Sequence, residues 1–474
     1  MIGLVPSKTR IEKDSMGELP IPAGAYYGVQ TQRAVINFPI SGWKAYPELI
    51  LATVQIKRAA VIANMALNTI DQKKGRAILR ACEEMIAGKF HDHVVVDVFQ
   101  AGAGTSFHMN INEILANRAI EILGGRRGDY KVVSPNDDVN FGQSTNDVIP
   151  TSLRISIVIA SKNTLPVMEK FRDAFAKKGG EFDGIVKSGR THLQDAVPVR
   201  LGQEFQAYAT IIDQHIIRYK RVLEDLKVLG IGGSATGTGL NAHPKYRFRV
   251  AEELSKALKV KFTIAPDLFA AMQSMAPIVA MSGVLRNFAL DLIKICNDLR
   301  LLSSGPRTGL HEIDLPACQP GSSIMPGKVN PVMPEMLTMI CFQVMGNDQS
   351  IAFCSQAGQL ELNVMMPLII FNILMSHRIF ETGLRIFTEK CIRGIKANAD
   401  RCNHFAERSA ALVTALNPYI GYLKAAQVAK EVLSSHKSIR EIVLEKKLMT
   451  EAELKKALNL EAMTRASEND TGTR

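Results

Sequence analysis

Four stretches of small and polar residues interrupt an otherwise helical pattern, and their side chains are of the kinds that bind and deprotonate small anions. They are Gly102-Ala-Gly104-Thr105-Ser106, Gly142-Gln143-Ser144-Thr145-Asn146-Asp147, Ser188-Gly189-Arg190-Thr191-His192-Leu193-Gln194, and Gly321-Ser322-Ser323-Ile324-Met325-Pro326-Gly327-Lys328-Val329-Asn330-Pro331. Any one alone reads as a turn or a helix cap, where Ser, Thr, Asn and Gly are ordinary. Four together, each ending near an expected helix start, bring hydroxyls, amides, a lysine and backbone N–H groups to positions that favour negative charge. Chemistry on a dicarboxylate at a weakly acidic carbon needs two such pockets and a base, and these loops hold groups for all three. His192 lies inside a polar loop, whereas His215 and His377 fall on helical faces that suit packing or surface; spacing alone leaves the role of His192 open. His91-Asp92-His93 reads as surface, because two histidines two apart on a helix point to different faces and no third metal ligand is near.

Long helices must carry these loops. From Leu201, apolar residues recur at three and four through Phe205, Tyr208, Ile212, Ile216, Tyr219, Leu223 and Leu226, which predicts one amphipathic helix ending before Gly230. Ile278, Met281, Leu285, Phe288, Leu292, Ile295, Leu299 and Leu302 follow the near-3.5 period of a helix packed lengthwise in a bundle. Residues 151–178 and 334–391 also read as helix, interrupted at Pro166 and Pro367, and β alternation is confined to short stretches such as 131–134. The expected fold is mainly α: a mixed, mostly helical part over residues 1–141, a central bundle of long helices over 142–397, and short helices with balanced charge over 398–474. The tail from Ala466 to Arg474 reads as disordered.

Composition removes several classes of function. The 474 residues are 46% hydrophobic and 22% charged, an ordinary globular balance. Aromatics are 6%, with Trp43 the single tryptophan, too few for a base-stacking platform. The net charge of +11 is spread in pairs among acids, without the basic tract a nucleic-acid binder shows, and suits attraction of small dianions. Seven scattered cysteines include no C-x-x-C pair, the pattern of reduced thiols in a cytoplasmic protein. The first twenty residues are too charged for a secretory signal, and the longest apolar run, residues 364–375, is too short to span a bilayer, so no membrane is expected. Two near-motifs fail. Gly321 is one residue too far from Gly327-Lys328 for a nucleotide P-loop and Val329 stands where Ser or Thr must be, while Gly230-Ile-Gly232-Gly233 follows a helix where a dinucleotide fingerprint follows a strand.

The run Gly321 to Pro331, followed by Glu335, resembles the signature of the fumarase/aspartase superfamily. The resemblance extends over nearly the whole chain, through Pro22-Ala-Gly-Ala-Tyr26-Tyr-Gly-Val29, Gly104-Thr-Ser106 with Asn110 and Asn112-Glu113, Gln143-Ser-Thr-Asn-Asp147, and Gly189-Arg-Thr-His-Leu-Gln-Asp195. Within the superfamily, Leu315 to Ser323 and Val332-Met-Pro-Glu335 are similar to the aspartate ammonia-lyases, and the Glu/Asn-rich stretch typical of fumarases before this loop is missing.

The resemblance implies the superfamily's three-domain fold and reversible anti elimination of ammonia from L-aspartate to give fumarate. It implies no organic cofactor, and a homotetramer whose active sites each draw on three subunits; activation by a divalent cation stays open, with no ligand cluster in view. Ser322 would be the general base removing the C3 proton to form an aci-carboxylate, with Ser144, Thr145 and the backbone around Ser323 stabilising it. Lys328, Asn330 and Thr191 would bind the α-carboxylate, Thr105, Asn146 and His192 would surround the amino group, and Glu335 would orient His192. A serine can serve as base only if nearby N–H dipoles and a cation lower its pKa strongly. Fumarase activity on L-malate, an ammonia-lyase for a substituted aspartate, and a non-catalytic relative are the alternatives.

Overall fold

The computed structural model describes residues 8–435 and 437–465; the segment 466–474 lies outside them. The hairpin β1 (Thr9–Asp14) and β2 (Gly17–Pro22) precedes α1 (Val29–Asn37), α2 (Pro47–Ala66), α3 (Gln72–Ile86) and α4 (Thr105–Ile122). Helix α5 (Thr145–Glu181) leads into a second hairpin, β3 (Val186–Thr191) and β4 (Gln194–Arg200), and then α6 (Leu201–Asp225). Next come β5 (Val228–Leu229), α7 (Tyr246–Leu258), β6 (Thr263–Ile264), α8 (Leu268–Gln273) and α9 (Ala276–Leu302). The chain continues through β7 (Ile313–Asp314), α10 (Val332–Gln356), α11 (Met366–Lys390) and β8 (Lys396–Ala397). It closes with α12 (Ala399–Arg408), α13 (Asn417–Ile420), α14 (Tyr422–Ser434), α15 (Ile439–Glu445) and α16 (Glu451–Ala457). The protein is mainly α, and among the described residues all four sheets are two-stranded.

Two compact units divide the described residues: those within 1–166, 216–289 and 341–381 form the first, and those within 167–215, 290–340 and 382–474 the second. In the first, α2 is buried on nearly every side, from Ala52, Val54 and Ile56 to Ala60 and Ala63. That burial explains its composition: it is one described helix long and apolar enough to cross a membrane, yet it carries Lys57 and packs inside the unit. Helix α4 is equally buried but polar at chosen points. Glu113 accepts the N–H groups of Gly28, Gln30 and Thr31 and the Thr31 hydroxyl, capping α1 and fixing the preceding Tyr26-Tyr27-Gly28 turn. Asn110 ties Val95 N and His93 O, and Asn117 holds Tyr26 O and Gly128 N. In the second unit, Phe171, Phe175, Phe182, Phe205 and Tyr208 form an aromatic cluster at centroid separations of 5.1–6.0 Å. The C-terminal short helices close over Leu412, Leu416, Val428, Ile442 and Leu454.

The long helices expected from periodicity are present, and every apolar residue of the α9 row from Ile278 to Leu302 is at most 6% exposed. Their boundaries need correction. Pro166 does not end a helix: α5 runs through both Pro150 and Pro166, held by burial before and after each ring. The break before α11 precedes Pro367, which sits in the first turn where its missing N–H costs nothing. Asn363 makes that break, donating to Cys354 O and Ser355 O at the end of α10 while accepting Met365 N ahead of α11. Residues 131–134 are not a strand. Val132 N closes a turn on Asp129 O, and Ser134 caps the single π turn Pro135–Val139.

Candidate active site

Two of the four loops lie in the first unit, and both deliver the N-terminus of a long helix. Ala103 and Gly104 take positive φ (60° and 83°) to turn the chain into α4, leaving Thr105 exposed at its start. A Cβ on Gly104 would meet the Ile149 side chain of α5 at 3.3 Å, so the two helix starts are close neighbours. Ser144 precedes α5 and accepts Asn146 N (3.2 Å), while Asp147 three residues on accepts Ser144 N (2.9 Å), an acidic version of the capping box. The other Asp147 oxygen accepts Gly232 N (2.9 Å) and Ser234 N (3.1 Å), and Asn146 Nδ2 donates to Ala235 O (2.8 Å), so residues 232–235 are stitched to the same helix start. Burial raises Asp147 to about 6 against the lowering effect of these three N–H groups. Two helix N-termini and the hydroxyls of Thr105, Ser144 and Thr145 thus form a positively polarised surface suited to a carboxylate.

Directly behind it, two charged or titratable side chains are fully buried. Lys57 Nζ touches His108 Nε2 (2.6 Å), Asn140 Oδ1 (2.9 Å) and Gln143 Oε1 (2.9 Å), and His108 Nδ1 touches Thr145 Oγ1 (2.8 Å). Burial lowers Lys57 to about 7, opposed by the Asp147 charge, and lowers His108 well below the ordinary histidine range, aided by the Lys57 charge.

The other two loops lie in the second unit. Residues 188–194 are not an irregular loop but the tip of the β3–β4 hairpin, whose two turn residues, His192 and Leu193, both have positive φ (53° and 59°). This is the geometry of a type I′ turn, here built without Gly or Asn, and it holds Thr191 and His192 exposed at the apex. The stem is anchored by Glu312, which is wholly buried between Arg190 (2.9 Å) and Lys187 (3.0 Å); Lys187 also meets Glu204 (2.8 Å).

Residues 321–331 form a ring closed at its neck. Gly321 N donates to Lys328 O (2.8 Å), and Asn330 Nδ2 donates to Gly321 O (2.7 Å). A Cβ on Gly321 would stand 2.6 Å from Asn330 N, so the closure requires glycine. Inside the ring, Ser322 Oγ accepts two backbone N–H groups, from Met325 (3.0 Å) and Ile324 (3.2 Å). Ser323 and Lys328 are exposed, and the ring ends at α10, whose first turn carries Glu335. Neither the His192 ring nor the Glu335 carboxylate has a hydrogen-bond partner among the described residues, so one chain does not by itself join the two.

Comparison with known proteins decides the family. A family model described as "Lyase" matches residues 17–346, and one described as "Fumarase C C-terminus" matches residues 412–465. The chain is 47% identical to the aspartate ammonia-lyase of Bacillus subtilis over 456 residues, 96% of each chain. The chain belongs to the fumarase/aspartase superfamily of lyases. Its fold is shared with a Brucella melitensis structure described as a fumarate lyase:delta crystallin, at TM-score 0.94 and 45% identity, covering 97% of this chain and all of that one. A class II fumarase from Schistosoma mansoni superposes equally well (TM-score 0.94) at 34% identity, with 96% and 99% covered.

The superfamily residues expected from the sequence therefore fall into two groups. Thr105, Ser144, Thr145 and Asn146 gather in the first unit around two helix starts. Thr191, His192, Ser322, Ser323, Lys328, Asn330 and Glu335 lie in the second, on a hairpin tip, a closed ring and the helix that follows it. Sequence reading missed Lys57 and His108. The signals were present: a lysine inside the apolar stretch of α2, and a histidine three residues after Thr105 on a helix whose other buried positions are mostly apolar or amide-bearing, with Ser106 and Glu113 as the exceptions. His215 and His377 are buried; His377 sits near Tyr219 and Thr164, and burial holds it down at about 4. Among the described residues no group of three His, Cys, Asp or Glu side chains could hold a metal ion.

Proposed function

We propose that this lyase catalyses the reversible deamination of L-aspartate to fumarate and ammonia by anti elimination, with Ser322 as the base. The observation that carries the reading is the pair of backbone N–H groups on Ser322 Oγ, which stabilise the alkoxide a basic serine must become. Similarity to aspartate ammonia-lyases at 47% against 34% for the class II fumarase favours ammonia over water as leaving group.

In this reading Ser322 takes the C3 proton, and the electron pair it leaves spreads into the adjacent carboxylate as an aci-carboxylate dianion. Ser144, Thr145 and Ser323 supply donors to that charge. The C2–C3 double bond then forms as the C2–N pair departs with ammonia from a pocket of Thr105, Asn146 and His192, the last oriented by Glu335. Lys328, Asn330 and Thr191 hold the α-carboxylate; one Asn330 amide hydrogen is committed to Gly321 O, leaving its second for the substrate. The closed ring acts as a lid that brings Ser322 to C3. Sites shared among three subunits of a cytoplasmic homotetramer would bring the two groups of residues, and His192 and Glu335, together. Ultraviolet detection of fumarate from purified protein tests the reading: fumarate from L-aspartate and none from L-malate is expected, and fumarate from malate alone would move the chain to the fumarase reaction.

A further inference from the structure

The buried Lys57 and His108 are not used by the chemistry above, and their hydrogen bonds form an ordered chain that ends on one of its proposed donors. We propose that Lys57 and His108 are positioning residues that fix the Thr145 hydroxyl as a hydrogen-bond donor toward the bound carboxylate. The inference rests on the proposed site, in which Thr145 contacts the substrate.

The directions follow from the donors available. The amide nitrogen of Asn140 donates to Gln143 O, and that of Gln143 reaches Val139 O and Phe141 O, so both amides turn their oxygens toward Lys57. An ammonium carries three hydrogens and no lone pair. With two hydrogens on those amide oxygens, the third meets His108 Nε2, which must accept. A neutral imidazole accepting at Nε2 carries its hydrogen on Nδ1, and among the described residues Nδ1 faces only Thr145 Oγ1. Thr145 Oγ1 therefore receives the His108 hydrogen. His108 Nδ1 is its one hydrogen-bond partner among the described residues, so the threonine's own hydrogen is left to point away from the pair, at a half-buried position beside two helix N-termini. A free threonine can spend its hydrogen on His108; this one accepts there with one lone pair and so keeps its hydrogen for the substrate side, which is what a carboxylate needs. The low basicity of the buried His108 keeps the imidazole neutral, as the chain of bonds demands.

Two amide substitutions separate the links, because an Asn amide nitrogen falls near the position of imidazole Nδ1 and a Gln amide near Nε2. His108→Gln keeps the Lys57 contact and loses the one to Thr145, and His108→Asn does the reverse. The expected result is that His108→Gln raises KM for L-aspartate about 10- to 100-fold, the loss of one well-directed donor to a charged group, and that His108→Asn raises it at least fivefold less. In a Thr145→Val background the His108→Gln change should cost less than about threefold, since the hydroxyl it acts through is gone. Equal losses for the two His108 variants, or an undiminished His108→Gln cost in the Thr145→Val background, would overturn the proposal and make the pair structural. If a thermal scan shows that a His108 variant does not fold, Lys57→Gln carries the same double comparison with Thr145→Val. A wild-type protein inert toward aspartate would overturn the aspartate reading instead, and the double comparison would then be decided on calorimetric fumarate affinity.

Discussion

Removing the Ser322 hydroxyl is the sharpest perturbation of the proposed chemistry, and its size can be worked from the ring. Ser322 Oγ accepts Met325 N at 3.0 Å and Ile324 N at 3.2 Å. When the acceptor becomes an alkoxide, each bond turns from a neutral into a charge-assisted one, worth about 1.5–3 kcal/mol against about 1 kcal/mol before. The pair together favours the alkoxide by about 1–4 kcal/mol, or roughly one to three pKa units. Lys328, in the same ring and exposed, would add a further favourable charge once substrate excludes water. Ser322→Ala abolishes the base outright, so kcat for fumarate release from aspartate should fall by the ~10²- to 10⁴-fold of a lost general base. KM should change little, because the two carboxylates have other partners. Elution volume and melting temperature should match the wild type, because no neighbouring element depends on the hydroxyl. A folded Ser322→Ala enzyme with kcat within about tenfold of the wild type would refute the assignment.

Two further outcomes follow. Glu312→Ala strips the buried Lys187 and the Arg190 beside the hairpin tip of their shared carboxylate; breaking such a pair costs about 3–5 kcal/mol, so the melting temperature should drop by about 5 °C or more, and a shift under 1 °C would show that Glu204 alone suffices. Lys57, lowered to about 7 and faced by His108 on α4, Asp147 on α5 and the Cys82 thiol on α3, loses its ammonium as pH rises through that value. A neutral amine accepts from His108 Nε2, the imidazole tautomer reverses, and Thr145 turns its hydrogen inward; KM for aspartate should therefore rise across pH 7 to 8 in the wild type, and a Lys57→Gln profile keeping the same inflection would contradict this. The stability sign is the opposite: with the folded pKa below the unfolded one, stability contributed by this group increases from about pH 7 toward 10.

The parts of the fold that sequence made legible are those with long periodic rows. The α9 row from Ile278 to Leu302 and the α6 row from Leu201 repeat often enough to define a face, and the superfamily signature stands on unbroken sequence from Gly321 to Pro331. What escaped had non-local causes. The β3–β4 hairpin carries no Asn-Gly at its tip, and its stem is held by Glu312, more than a hundred residues on. Pro166 has the sequence of a breaker, yet the flanking helix is buried well enough to run through it. Lys57 and His108 look like stray polar residues on buried helices until α2, α4 and α5 are packed side by side, since each finds its partner 37 to 86 residues away.

The stitched neck of the 321–331 ring separates two properties that an enzyme lid usually mixes. Gly321, Lys328 and Asn330 close the ring on itself, and Ser322 finds both of its N–H partners within it. A displacement of the loop that preserves the neck would carry Ser322 Oγ and its two N–H partners as one cargo, so in the proposed reading the share of its basicity that these two bonds supply is the same far from the substrate as near it. In the proposed reading, substitutions at the flanking prolines, Pro320 and Pro331, would alter how often Ser322 arrives, and substitutions at Gly321, where a Cβ would meet Asn330 N, what it can do on arrival.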